Sequence, residues 1–262
     1  MVDIAKAFGI GSTAGLLGSL AGMGGGFILI PMSTYLLRLS QHQAHGTSLF
    51  AVAATGVAGA WSYGPAVQWE PAVAVALTGM VTARLGARTT TILSEKTLKR
   101  ALGVLMLVMS VAVPAKAHLM EQYKDEKGST SPSTSVESET PILLQRLIPA
   151  AAIGTCSGYM AGLFGVGGGV IVVPALTIFT SCNHYEALAT SLAAMTLPAM
   201  SGTWTHYRAG NVALCVAPAL AIGALLGAAA GAQVGRRTDE STLRWGFSGL
   251  LATLGIRTLL KA

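Results

Sequence analysis

Long apolar runs alternate with short polar stretches along the whole chain. They divide it into ten helical segments, near 4–22, 26–38, 46–64, 69–93, 97–118, 142–164, 168–181, 186–206, 211–234 and 242–260. A helix needs about 20 residues to cross a bilayer, and most of these segments are long enough. The second and seventh are not. Each is about 13 residues long and follows a glycine triplet, Gly24–Gly26 in "AGMGGGFILIP" and Gly167–Gly169 in "GLFGVGGGVIVVP". These two are expected to be broken or re-entrant helices.

The run "EQYKDEKGSTSPSTSVESET", residues 121–140, is charged and rich in Ser and Thr, with no apolar stretch. It reads as a solvated linker. The domain plan is therefore a transmembrane repeat over 1–120, the linker over 121–140 and a second transmembrane repeat over 141–262.

The two repeats align directly. An offset of 143 places Gly22 on Gly165, the first triplet on the second, Pro31 on Pro174, Thr47-Ser48 on Thr190-Ser191, Gly59 on Gly202 and Trp61 on Trp204. Each repeat holds about five segments. Whether all five cross, or the first two dip as a hairpin, the number of crossings is odd. The second repeat is then inverted relative to the first, as in many secondary transporters. The expected fold class is an all-α polytopic membrane protein built from two inverted-topology repeats.

Composition sharpens this. Apolar residues make up 52% of the 262 positions and charged residues 11%, too few to cover a soluble surface. The net charge of +6 does not point to nucleic acid, because the basic residues sit in short loops beside apolar runs. One face collects Lys6, Arg38, Arg84, Arg88, Lys96, Lys99, Arg100, Arg208, Arg257 and Lys261; the other collects Lys116, Lys124, Lys127, Arg146, Arg236, Arg237 and Arg244. The larger set predicts cytoplasmic termini. A bacterial inner membrane is the expected setting, an organellar one the alternative. The N-terminal run has no basic lead or cleavage site and reads as a retained helix.

Cys156, Cys182 and Cys215 are scattered and imply neither disulfides nor zinc; they read as small apolar fillers. No metal motif, nucleotide loop or catalytic constellation is present, so no cofactor and no enzymatic activity are expected. No Asp or Glu falls in mid-helix, which argues against a cation substrate and carboxylate-based coupling.

The candidate site starts from the triplets. Three adjacent glycines suit a sharp reversal with free backbone N–H groups, and each triplet opens a helix whose N-terminus carries about half a positive charge. Two such ends aimed at one cavity make an anion site; a tight turn alone is the plainer reading. Gly11, Gly15, Gly18 and Gly22 form a packing stripe. Pro31 and Pro174 are candidate kinks. Thr47, Ser48, Thr190 and Ser191 are placed at helix starts, where hydroxyls cap a helix or donate to an anion. Trp61 and Trp204 either anchor the interface or line the cavity. His206 and Arg208 follow Trp204 and are candidate substrate contacts, with Arg208 also suited to the interface. His45 is either a loop histidine or a titrating contact. Arg84 and Arg88, one turn apart, are expected to snorkel to the cytoplasmic face.

"GLLGSLAGMGGGFILIP" with "AHGTSL", and "GLFGVGGGVIVVP" with "ALATSL", resemble the two halves of the TauE/SafE family of sulfite exporters. "SGTWTHYRAGNV" followed by "GALLGAAAGAQVGRR" is similar to the family's second half, and the resemblance covers nearly everything but the linker. It implies export of a small sulfur anion such as sulfite, sulfoacetate or a related organosulfonate. It carries the glycine-proline motif onto Gly24, Gly25, Gly26 and Pro31 and onto Gly167, Gly168, Gly169 and Pro174, and the Thr-Ser motif onto Thr47, Ser48, Thr190 and Ser191. His45 stands where relatives more often have an apolar residue. The expected partners are the anion and the bilayer, with no nucleic acid; a homo-oligomer is an open possibility. An anion channel, or a non-transporting membrane subunit or anchor, is the alternative.

Overall fold

The structure is a computed structural model that describes residues 4–126, 142–180, 182, 184–238 and 240–260. Ten α-helices account for nearly all of them: α1 (Ile4–Leu20), α2 (Gly26–Leu36), α3 (Gln41–Tyr63), α4 (Trp69–Ile92), α5 (Glu95–Glu126), α6 (Ile142–Phe164), α7 (Gly169–Phe179), α8 (His184–Arg208), α9 (Ala217–Gly235) and α10 (Glu240–Leu260). A single 3-10 turn over Gly64–Ala66 follows α3. There is no strand among the described residues. The chain is an all-α membrane protein.

Three helix ends differ from the sequence expectation, each for a local reason. Helix α3 starts at Gln41 rather than 46 because Ser40 caps it: the Ser40 side chain accepts from Gln43 N, and the Gln43 side chain accepts from Ser40 N. Helix α5 runs on to Glu126, into the stretch read as linker, through "HLMEQYKDE", whose residues are mostly good helix formers. The rest of that stretch, 127–140, lies outside the described residues. Helix α9 starts at Ala217, with Pro218 in its first turn, where a missing N–H costs nothing.

Helices α2 and α7 are 11 residues each, about 16 Å long by helical rise, roughly half the hydrocarbon thickness. Pro31 and Pro174 lie inside them, and both helices continue past the proline.

The packing interleaves the two halves. Helix α1 lies along α9, α6 along α4 and α5 along α10, while α3 also touches α9 and α8 also touches α4. At the centre, α3 meets α8. Gly202 faces the Leu49 side chain, Gly59 faces the Leu192 side chain, and Gly56 lies against Thr196 and the Leu192 carbonyl. These pairings run in opposite senses along the two helices, so α3 and α8 are antiparallel.

Small residues line the helix seams, and a stripe of large ones faces outward. A Cβ on Gly15 would lie 2.1 Å from the Ala224 carbonyl oxygen, and one on Gly158 would lie 2.4 Å from that of Gly79. Backbone thus meets backbone along both seams, the contact that membrane helices use when water supplies no driving force between them. Of the stripe Gly11, Gly15, Gly18 and Gly22, the first two pack against α9 and Gly18 against the first glycine break, while Gly22, with φ 67°, belongs to the reversal itself. On the outer face of α4, Trp69, Val73, Leu77, Val81 and Leu85 recur every fourth residue and are each 50–61% exposed. Such a stripe suits lipid and would be costly in water. Two described stretches, Leu147–Phe164 and Ala217–Gly235, are long and apolar enough to cross a membrane on length and hydropathy alone. The three cysteines are free; Cys156 and Cys215 are exposed rather than interior fillers.

The seam geometry has a direct consequence. Gly15→Ala should destabilise the protein by about 3 kcal/mol, because the new methyl group meets a carbonyl that cannot retreat. Gly9→Ala, at a position with nothing within 4 Å, should be neutral or gain up to about 1 kcal/mol. Thermal unfolding of the two variants in detergent checks this. Equal melting temperatures would mean that the α1–α9 seam is loose.

Candidate functional site

Each short helix begins at a reversal that only glycine adopts without strain. Gly22, Gly24 and Gly25 have φ of 67°, 76° and 78°, and Gly165 and Gly167 have φ of 66° and 72°. The two breaks differ at one point: Gly25 is left-handed, whereas its counterpart Gly168 is right-handed, with φ −70° and ψ −3°.

The two breaks meet. A Cβ on Gly26 would lie 2.3 Å from Val166 Cα, and one on Gly169 would lie 2.7 Å from Met23 Cα; Val166 and Met23 are themselves 143 positions apart. Gly24 and Gly167 both face the side chains of Val52 and Met195, another pair at that offset. The centre of the molecule is therefore two glycine reversals back to back, with one residue from α3 and one from α8 beside them.

Hydroxyl groups clasp this arrangement, and they do so reciprocally. Ser48 Oγ donates to Gly165 O at 2.7 Å and also lies 2.8 Å from His45 O; Ser191 Oγ donates to Gly22 O at 2.9 Å. Thr47 Oγ1 accepts from Ala213 N at 3.0 Å, and Thr190 Oγ1 accepts from Gln68 N at 2.9 Å. All four side chains are buried, and each bonds backbone of the other half. Thr47 and Ser48 lie two turns inside α3, and Thr190 and Ser191 equally far inside α8, so they are not helix caps. Their sequence placement at helix starts is corrected: α3 starts at Gln41 behind its Ser40 cap, and α8 starts at His184.

The helix-end amides present a contrast. The N–H groups of Gly22, Met23 and Gly24 reach Ser19 O or Gly18 O. Those of Gly25, Gly26 and Phe27 have no acceptor among the described residues, and neither do those of Gly168, Gly169 and Val170. All six residues are buried. Buried amides without acceptors are rare in folded proteins, and a helix N-terminus supplies them in the orientation that binds anions. A cavity of about 10 Å³, lined in part by Phe27, Val166, Gly167, Gly168 and Val170, lies against the second reversal. It has room for about one water molecule.

The remaining candidates separate into two groups. His45 and His206 are fully buried. His45 lies inside α3, not in a loop, and its Nε2 is 3.0 Å from Gln41 Nε2. His206 Nε2 donates to Gly162 O at 3.2 Å, and its Cβ packs near Gly46. In the other half, Tyr63 stands at the position of His206, and its hydroxyl donates to Ser19 O at 3.3 Å, the residue matching Gly162. The offset of 143 thus pairs a tyrosine with a histidine in one geometric role.

Trp61, Trp204 and Arg208 form the second group, and the structure places them away from the reversals. Trp61 is 90% exposed and Trp204 54% exposed, so neither lines a central cavity. Both sit near helix ends, where aromatic rings anchor at the membrane interface. The Arg208 guanidinium stacks over Trp204 at 5.0 Å. Sequence reasoning missed Val52, Met195, Gln41 and Tyr63. The first two carry no chemical signal, being ordinary core residues that only the offset singles out.

A buried glycine-helix junction, mirrored by a second one and enclosed by seams of small residues, is the kind of broken-helix centre found in membrane transporters. The comparisons with known proteins agree. The profile of the sulfite exporter TauE/SafE family matches residues 7–258, and the chain belongs to that family. It is 27% identical over 243 residues to the probable membrane transporter protein YunE of Bacillus subtilis, covering 89% of each chain. It is 23% identical over 268 residues to a probable membrane transporter protein of Methanocaldococcus jannaschii, covering 96% of this chain and 93% of that one. It is 26% identical over 238 residues to a probable membrane transporter protein of Xylella fastidiosa, covering 89% and 85%. No solved structure matches it.

The clasp can be tested by removing its hydroxyls. Ser48→Ala leaves Gly165 O without its donor, and Ser191→Ala does the same to Gly22 O. Each should cost about 1–3 kcal/mol, and the two losses should be similar because the contacts are reciprocal. Trp61→Ala, at an exposed position, should change stability by about 0.5 kcal/mol or less. Denaturation curves of the three variants decide the matter; a Ser48→Ala protein as stable as the parent would rule out the clasp.

Proposed function

We propose that this protein is a secondary transporter that exports a small sulfur oxyanion, sulfite or an organosulfonate such as sulfoacetate, by alternating access. The observation that carries the reading is the pair of buried helix N-termini, Gly25–Phe27 and Gly168–Val170, whose amides have no protein acceptor among the described residues. An oxyanion held between them would accept from both helices and gain from both dipoles, with no buried cation needed. The antiparallel packing of α3 on α8, helices that correspond at the 143 offset, supports two halves of inverted topology, with the site at their shared centre.

The space at the reversals, about 10 Å³, is smaller than a sulfite ion needs. Binding therefore requires the reversals to part, and this favours a carrier that alternates between closed and open forms over an open pore. The clasping hydroxyls would loosen on one side at a time. With the cytoplasm negative, the membrane potential drives each negative charge outward by about 2.3 kcal/mol per 100 mV, so export needs no coupling ion. Mid-helix carboxylates, which cation coupling commonly uses, are absent from the sequence. We place both termini in the cytoplasm on the distribution of Lys and Arg.

Proteoliposomes loaded with sulfite provide the test. Efflux should be saturable and should accelerate when a potassium gradient makes the interior negative. Gly167→Ala adds a methyl group against the flexible side chains of Val52 and Met195 at a left-handed residue. It should fold, yet slow efflux about tenfold or more. Vesicles that retain sulfite and sulfonates while passing cations would contradict the proposal.

A further inference from the structure

A second basic site lies at the surface, well away from the reversals. A cavity of about 420 Å³ is lined by Arg84, Arg88 and Thr91 of α4 and by Trp204, Thr205 and Arg208 of α8. Arg84 is held in place: its Nε donates to Ser201 Oγ at 2.9 Å, and Ser201 Oγ donates to Met80 O at 2.8 Å. Arg208 is held over the Trp204 ring. Among the described residues, no carboxylate lies within ion-pair distance of any of the three arginines. Three guanidinium groups without a counter-ion repel one another, and the arrangement is favourable once an anion joins it.

Internal symmetry does not demand this cluster. At the matching end of the other half, Trp61 is flanked by Pro65 where Arg208 would stand, and Arg236 there donates to the Ser62 carbonyl. Arg237 matches Arg88 at an offset of 149, but no arginine matches Arg208, so the other end repeats the crevice only in part.

Its surroundings bear on which anion it would take. Directly along α4, one turn from Arg84 and Arg88, lie exposed Val81 and Leu85; along α8, exposed Leu197 and Met200 precede Trp204. An apolar, outward-facing strip therefore runs from the crevice along both helices. A free inorganic anion has no use for that strip, whereas a lipid places its phosphate among the arginines and its acyl chains on the strip. We propose that the crevice formed by Arg84, Arg88, Trp204 and Arg208 binds the headgroup of an anionic phospholipid, phosphatidylglycerol or cardiolipin. Basic pockets between membrane helices at the headgroup level are suited to such lipids. The bound lipid tethers the C-terminal ends of α4 and α8, two helices from opposite halves.

Native mass spectrometry of the full-length protein, titrated with phosphatidylglycerol, cardiolipin or phosphatidylcholine, tests this. The parent protein should take up the two anionic lipids in preference to phosphatidylcholine. Each basic residue at a membrane surface changes affinity about fivefold, so the double variant Arg88→Gln/Arg208→Gln should bind phosphatidylglycerol about 25-fold more weakly. Arg84 is left intact in that variant so that its bond to Ser201 is preserved. Arg88→Lys/Arg208→Lys should recover most of the affinity. Lys96→Gln, which removes an exposed charge outside the crevice, should have no effect. Unchanged lipid preference in the double glutamine variant would overturn the proposal. So would an equal loss in Lys96→Gln, or displacement of the lipid by inorganic phosphate or sulfite, which would make the crevice a site for free anions.

Discussion

The architecture depends on one reciprocal contact. Ser48 in α3 holds the carbonyl of Gly165 at the end of α6, and Ser191 in α8 holds the carbonyl of Gly22 at the end of α1. Each bond joins a helix of one half to the reversal of the other. A carbonyl left unpaired in a buried, low-dielectric centre is expensive, so the two halves fix each other's break. With the carbonyls committed, the amides on the far side of each reversal are the groups left over. On the proposed function, the same few residues divide their roles: the C=O side builds the fold and the N–H side binds the anion.

Glycine serves two purposes here that are easily confused. Along α1, α4, α6 and α9 it allows backbones to touch, as at Gly15 against Ala224 and Gly158 against Gly79. At Gly22–Gly25 and Gly165–Gly167 it supplies left-handed turns. The first use sets how closely the halves interlock; the second sets where two helix ends point. The symmetry is also imperfect in a chemically pointed way. Tyr63 and His206 play one geometric part, donating to the end of α1 and of α6 respectively, but one is a phenol and the other an imidazole. The left-handed Gly25 and right-handed Gly168 are a second departure. The two ends of the molecule therefore share a scaffold without sharing chemistry.

Much of this was legible in the sequence. Hydropathy located all ten helices, and the 143-residue offset paired the residues that later proved to touch reciprocally. The triplets marked the reversals, because nothing but a backbone need explains three adjacent glycines in an apolar run. Side-chain direction was less legible. A helix period says which residues share a face, but not that Thr47 and Ser48 reach across to Ala213 N and Gly165 O, contacts separated by more than a hundred residues. Trp61 and Trp204 carried two readings, and only the packing of α3 and α8 turned them outward. The early start of α3, which brings His45 into a buried helix, was signalled by Ser40-Gln41-His42-Gln43, a capping box by spacing.

The central claim is that both glycine reversals address one anion. It is tested most directly by selective ¹⁵N-glycine labelling of the protein in nanodiscs, followed by titration with sulfite. The amide signals of Gly25, Gly26, Gly168 and Gly169 should move together and saturate with a single apparent Kd, while Gly9 and Gly64 stay still. Shifts confined to one reversal, two separate affinities, or no response at either would contradict it.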